Sequence, residues 1–457
     1  MIFSSIQFII FFSIFLLFIK IFKNHQRSII ILFSIFFYGF WSPPFTFLIL
    51  FFFITSYFFL KRDLSLKVSI PVTLLPLFYF KYSFFLSNFF EIKILADLSY
   101  KGDLPLAISF ITFTAIAILV DVKTKKYEEK INFYSLSEFL IYFPQLIAGP
   151  ILRAKELIPL LKSKIVFTNA NVKFGILLFM IGFVKKIFFA DSISNFIDPI
   201  FEKENLTASQ DYIKGFLLFP LQIYFDFSGY VDMALGVSKI LSIDLPINFN
   251  RPYLSSSLTE FWRNWHITLS KWFRDYVYIS LGGNRVGKLL NYRNLILTFV
   301  VSGLWHGANY TFIVWGLIHG LLLIIEKFFK DIKLNLSLNR ILKIAITFFI
   351  TNITWVFFRS NNVSEALSIL KNTASLSINL NENIYAFRGF GIDFFELVTM
   401  LLLIILIVLF EFFEKKIKMT NVYDSKKIQF VWMQLLIFFI LFFATKGELK
   451  NFIYFQF

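Results

Sequence analysis

The sequence predicts an all-α polytopic membrane protein, and three observations predict it. Of its 457 residues 57% are hydrophobic and 21% aromatic, with a mean hydropathy of +0.71; a soluble domain is nearer half apolar. Apolar runs of about 20 residues recur along the chain, the length at which a helix crosses a hydrocarbon core. Between them basic clusters alternate with poorly charged turns, the pattern of cytoplasmic and outer loops. The expectation is about eleven transmembrane helices with re-entrant or interfacial helices among them.

The first spans fall at about 2–19, 28–41 and 44–60. Residues 1–22 resemble the apolar core of a signal peptide but are too long and lack a small-residue cleavage site, so they read as a retained span. Trp41-Ser42-Pro43-Pro44 turns the second span into the third. Lys20, Lys23 and Arg27 share one loop, and Lys61, Arg62 and Lys67 the next loop but one. After spans at about 68–82 and 104–121 come Lys123, Lys125, Lys126 and Lys130. This alternation places the N-terminus outside.

Phe143-Pro144-Gln145-Leu146-Ile147-Ala148-Gly149-Pro150 sets two prolines and a glycine in apolar sequence. Proline removes a backbone donor and kinks or stops a helix. Irregular backbone at membrane depth survives only inside protein or along a cavity. The segment therefore reads as re-entrant or broken, with an ordinary kinked span as the alternative. Spans follow at about 172–190 and 212–231.

Residues 224–285 are denser in charge than the flanking spans. Pro246-Ile247-Asn248-Phe249-Asn250-Arg251-Pro252-Tyr253 reads as an extended loop. Ser257 or Thr259 then caps a helix expected to run to about Ile279, with Trp262, Trp265, Leu269, Trp272 and Tyr276 on one face. That stripe reads as packing in an interfacial helix. Leu281-Gly282-Gly283-Asn284-Arg285 closes it. Apolar sequence resumes at about 292–324, 340–358, 394–413 and 428–445, with an amphipathic connection near 359–390. The chain shows no internal repeat and no soluble catalytic domain.

Composition also excludes chemistry. There is no cysteine, which removes disulfides, thiolate nucleophiles and cysteine metal sites. The net charge of +16 suits basic loops at an anionic leaflet better than nucleic acid. No His-Glu-x-x-His or other ligand spacing marks a metal site. Asp226 and Asp232 read as ion-paired or cavity-facing structural acids.

Four histidines remain. His306 stands in Ser302-Gly303-Leu304-Trp305-His306-Gly307 and His266 in Glu260-Phe261-Trp262-Arg263-Asn264-Trp265-His266. An ionisable side chain at membrane depth is a functional-site hypothesis by default. His319 lies thirteen residues after His306, on the far side if one helix carries both. His25 falls in a charged loop.

These stretches together resemble the membrane-bound O-acyltransferase family, in particular its bacterial polysaccharide branch typified by alginate O-acetyltransferase. The resemblance runs over 104–122, 143–153, Tyr224-Phe225-Asp226-Phe227-Ser228-Gly229-Tyr230-Val231-Asp232-Met233, 248–253, 260–284, 302–307 and 355–359. Ala107 departs from the pattern where glycine is usual, and Ser280 where proline is usual. The D-alanyl transfer branch is similar around His266 but usually lacks the Gly-Gly-Asn-Arg ending.

The resemblance implies one integral-membrane O-acyltransferase domain over 1–457, with its core at about 104–359 and a central tunnel. It implies acetyl-coenzyme A as donor substrate, no bound cofactor, and an exported polysaccharide acceptor. A separate extracytoplasmic acetyltransferase is the implied partner, in the bacterial inner membrane. His306 is the implied general base: a neutral imidazole suits that role, an apolar site keeps it neutral, and Gly307 leaves room beside it. His266 resembles the family's second histidine and is expected to polarise the acyl carbonyl or place the acceptor. Asn264, Arg263, Trp305, Asn250 and Arg274 are candidate substrate contacts, the arginines suiting coenzyme A phosphates or lipid headgroups equally. The alternatives are D-alanyl or other acyl transfer to a cell-wall polymer, and a proton-coupled transporter or flippase. Transporters often carry paired repeats.

Overall fold

The computed structural model describes residues 2–147, 149–202, 209–332 and 338–374, together with Gln434. Every regular element among these residues is helical. Among the described residues four stretches are long and apolar enough to cross a bilayer: Pro43–Arg62, Leu66–Phe89, Tyr310–Asp331 and Arg340–Arg359. Ile6–Ile21 and Gln26–Trp41 are shorter apolar helices. Ile108–Lys123, Asn169–Val184, Ser209–Ile240 and Lys288–His306 also lie where spans were expected. Their positions agree with the sequence, and four stretches of crossing length stand among the described residues against the expected count of about eleven for the whole chain. The expected spans at 394–413 and 428–445, and most of the connection at 359–390, lie outside the described residues apart from Gln434.

Large apolar side chains face outward from these helices, Phe47, Leu50, Ile54 and Phe58 along one of them. In water such a face would be a liability; against acyl chains it is the expected exterior. Basic loops gather at one end. There Arg27 pairs with Glu138 (2.5 Å), Lys123 with Asp63 (2.6 Å) and Lys162 with Glu129.

Two helix pairs form the frame. Asn169–Val184 crosses Ser209–Ile240 at glycines: a Cβ on Gly175 would stand 2.6 Å from the Gly236 carbonyl oxygen, and one on Gly182 2.4 Å from that of Gly229. Small residues let helix backbones meet where lipid offers no hydrophobic drive between helices. Just beyond this crossing the π-helical turn Lys185–Ala190 aims two lysines inward. Lys185 pairs with Asp232 (2.7 Å), and Lys186 with Asp226 (2.6 Å) and Asp191 (2.7 Å). Asp226 and Asp232 are thus ion-paired acids, the first of the two readings the sequence left open.

The second pair corrects an expectation. Residues 292–324 do not form one span: Lys288–His306 ends at Gly307, and Tyr310–Asp331 begins after Asn309, whose side chain accepts from Thr311 N (3.1 Å). The two helices pack tightly, since a Cβ on Gly303 would lie 2.1 Å from the Phe312 carbonyl oxygen and one on Gly316 2.3 Å from that of Phe299.

The proline-rich segment is broken, as expected. Phe143–Leu146 makes one turn, residues 149–153 are irregular, and Ala154–Lys162 follows. Its residues 143–147 are buried in protein, the condition that irregular backbone needs. Ala107 occupies a left-handed conformation (φ 55°) before Ile108–Lys123. A glycine would sit there without strain, which gives the departure at 107 a backbone meaning.

Candidate functional site

His266 stands at a break in a helix. Ser257 accepts from Glu260 N (3.1 Å) and starts Leu258–Asn264. Two Ser256 donors, its hydroxyl and its backbone N–H, hold the Glu260 carboxyl below the usual carboxylate range. The helix then stops: Trp265 is extended and His266 is left-handed (φ 40°, ψ 57°). A residue with a Cβ pays about 1–2 kcal/mol for that conformation, so something must impose it.

The extended stretch before Pro252 imposes it. Asn250 N donates to Asn264 O (3.0 Å) and Ile267 N to Asn248 O (2.9 Å), so a short ladder replaces the missing helical bonds. The buried Asn248 side chain accepts from Thr268 N (3.1 Å) and Thr268 Oγ1 (2.6 Å), which caps Ile267–Phe273. Thr268 Oγ1 in turn accepts from Ile151 N (2.8 Å) in the broken segment. The aromatic stripe is therefore split. Trp262 meets Phe299, Trp315 and His319, while Trp272 stacks on Phe113 at 3.7 Å. The expected single helix to Ile279 and its single face give way to two short helices, because the long-range ladder outweighs local propensity.

His266 is 0% exposed, with Phe227 at 4.7 Å and Trp305 at 6.4 Å between ring centroids. His306, 5% exposed, meets Trp305 (4.9 Å), Trp315 (5.2 Å) and Phe358 (5.0 Å), all edge-on. Trp305 thus lies against both imidazoles. Beside His306, a Cβ on Gly307 would fall 2.0 Å from the Phe312 ring. The space expected there for a substrate is filled by that ring.

His319 belongs to the same cluster. It meets Trp315 at 4.8 Å, and its Nδ1 accepts from Trp262 Nε1 (3.4 Å). The far-side expectation assumed one helix through 306 and 319; the turn at 307–309 folds them onto adjacent helices. With Nδ1 accepting, the neutral ring carries its proton on Nε2.

Several buried polar atoms here lack partners. Neither ring nitrogen of His266 reaches a partner beyond its own backbone among the described residues. The indole N–H groups of Trp305, Trp315 and Trp355, and His319 Nε2, likewise have none there. Buried donors are nearly always satisfied, and each orphan costs about 1–3 kcal/mol. These orphans lie on three different helices and gather around two imidazoles.

The other sequence candidates divide. Trp305 joins the two histidines. Asn264 sits two residues before His266, its amide donating to Ser255 Oγ (3.2 Å). Arg263, Asn250 and Arg274 are exposed; Arg274 pairs with Asp275 (2.7 Å). Sequence reasoning missed Asn248, Trp315, His319 as a cluster member, and Lys81. The last donates to the carbonyls of Trp305 and His306, and its signal was a lone charge inside an apolar run. Among the described residues no three His, Cys, Asp or Glu side chains stand together as metal ligands.

Comparison with known proteins follows the same residues. The model of the MBOAT, membrane-bound O-acyltransferase, family matches residues 35–363. A peptidoglycan O-acetyltransferase from Helicobacter pylori is 39% identical over 395 residues, covering 76% of this chain and 73% of that protein. A probable alginate O-acetylase from Pseudomonas aeruginosa is 45% identical over 265 residues, 58% of this chain and 50% of its own length. A teichoic acid D-alanyltransferase from Bacillus subtilis is 30% identical over 265 residues, 53% of this chain and 65% of its own. The chain thus spans about half the length of the alginate relative.

Proposed function

The chain belongs to the membrane-bound O-acyltransferase family, and from that premise we propose that it moves acetyl from cytoplasmic acetyl-coenzyme A to hydroxyls of an exported or cell-surface polysaccharide. Residues 1–457 act as one multi-pass domain in the bacterial inner membrane, with about eleven crossings around a central tunnel and the basic loops inside. The observation that carries the reading is the set of unpartnered N–H donors around two buried imidazoles.

In this reading His306 accepts the proton of the acceptor hydroxyl. The freed oxygen bonds to the thioester carbonyl carbon, the carbon–sulfur bond breaks, and the imidazolium returns the proton to the departing thiolate. No oxidant or reductant is consumed. A general base of this kind contributes about 10²- to 10⁴-fold. Donors aimed at the developing oxyanion contribute more than they would in water; the indole N–H groups of Trp305 and Trp315 flank His306 for that purpose. His266 polarises the acyl carbonyl or places the acceptor. Arg263 and Arg274, both exposed, suit the phosphates of coenzyme A.

The broad match to a peptidoglycan O-acetyltransferase favours a cell-wall glycan as acceptor, delivered directly or through a separate extracytoplasmic transferase. D-Alanyl transfer is the competing acyl group. Family membership removes the transporter reading.

Purified protein given radiolabelled acetyl-coenzyme A should transfer or hydrolyse the acetyl group, and His306→Ala should abolish this while the protein still folds. Mass spectrometry of cell-wall and surface glycans from a deletion strain should show lost O-acetyl groups. Unchanged glycans, together with an inert purified protein, would sink the proposal; loss of D-alanyl esters instead would reassign the acyl group.

A further inference from the structure

The helix that ends at His306 is fastened by side chains from another segment. Lys81 sits in the π-helical turn Phe78–Tyr82, inside the apolar stretch Leu66–Phe89. Its Nζ donates to the carbonyls of Trp305 (2.7 Å) and His306 (2.8 Å). The neighbouring Tyr82 hydroxyl donates to the Leu304 carbonyl (2.6 Å). Three successive carbonyls at the helix end are thus satisfied from two adjacent side chains.

That arrangement needs a reason. The last carbonyls of a helix are orphans, and they form the negative end of its dipole. Water or a local turn residue usually serves them, whereas a charge in an apolar span is costly to place. Lys81 meets no carboxylate within ion-pair distance among the described residues, so the helix end itself takes up its amine hydrogens. The π turn, a rare geometry frequent at functional sites, brings Lys81 and Tyr82 onto one helix end. One residue further on, the Phe312 ring fills the position a Gly307 Cβ would take.

We propose that Lys81, assisted by Tyr82, is the positioning residue that sets where the His306 imidazole stands. The proposal rests on the reading of His306 as the general base. An imidazole displaced by about 1 Å loses on the order of 10²-fold in rate, while the donor's binding elsewhere is untouched.

The test uses the purified full chain with radiolabelled acetyl-coenzyme A, measuring kcat and KM separately. Lys81→Met should lower kcat on the order of 10²-fold with KM for acetyl-coenzyme A within about threefold. Lys81→Arg, which restores cationic donors to the same carbonyls, should recover activity to within about tenfold of wild type. Wild-type kcat in Lys81→Met, a loss confined to KM, or an arginine variant as inactive as the methionine one would each overturn the proposal. If Lys81→Met fails to fold, Tyr82→Phe carries the test: kcat should fall several-fold at constant KM, and an unchanged kcat defeats the idea. Should His306→Ala itself remain active, the base assignment fails instead, a result distinct from all of these.

Discussion

Two buried polar centres among the described residues are built on opposite terms. Around Lys185 and Lys186 each charge meets an opposite charge at 2.6–2.7 Å, and the ion pairs close over a glycine crossing. Around His266, His306 and His319 there are rings in place of carboxylates, and the indole nitrogens of Trp305 and Trp315 and the ring nitrogens of His266 stand without side-chain partners among the described residues. Buried polarity that is satisfied within the fold is architecture. Buried polarity with donors left over is a site. The difference lies in the count of matched groups, and burial alone does not reveal it.

Substitutions can break or sharpen that contrast. The largest effect should come from His306→Ala, a fall of about 10²- to 10⁴-fold in acetyl transfer with the thermal unfolding midpoint in detergent near wild type. Lys186→Met should do the reverse. It removes the amine that faces the Asp226 and Asp191 carboxylates and should cost about 3–5 kcal/mol of stability, read as lost folded yield and a lower midpoint. Equal stability losses in the two variants would erase the distinction. Next comes Gly229→Ala, whose Cβ would lie 2.7 Å from the Gly182 carbonyl oxygen; overpacking of this kind costs about 1–3 kcal/mol and should appear in the midpoint. The smallest effect is expected from Trp315→Phe. It removes one unpartnered N–H and keeps most of the ring, so activity should fall several-fold while stability holds or rises. A stability loss like that of Gly229→Ala would place Trp315 with the architecture.

The sequence made the helices legible because apolar runs of crossing length depend on nothing distant. It also marked Trp305, His266 and His306, which carry polar atoms where hydrocarbon should be. The break at His266 was hidden, since helical periodicity continues through Trp262, Trp265, Leu269 and Trp272. It is imposed by a ladder to Asn248 and Asn250, more than a dozen residues earlier, which no local pattern encodes. The turn at Gly307 was there to be read: Gly307 and Asn309 are a helix stop and a helix start two residues apart. Once that turn is missed, His319 falls on the wrong side and drops out of the site. Lys81 went unnoticed because a lone lysine in an apolar run gives no hint of which distant carbonyls it serves.

The left-handed backbone at His266 has a practical corollary. Glycine is the residue most at ease at such dihedrals, so His266→Gly would relieve the main chain while vacating a ring-sized hole walled by Phe227, Phe249 and Trp305. Free imidazole added to that variant has a ready-made berth. Recovery of turnover with added imidazole, and none with an equal concentration of cyclopentane-like hydrocarbon, would separate what the ring does from what the bend does.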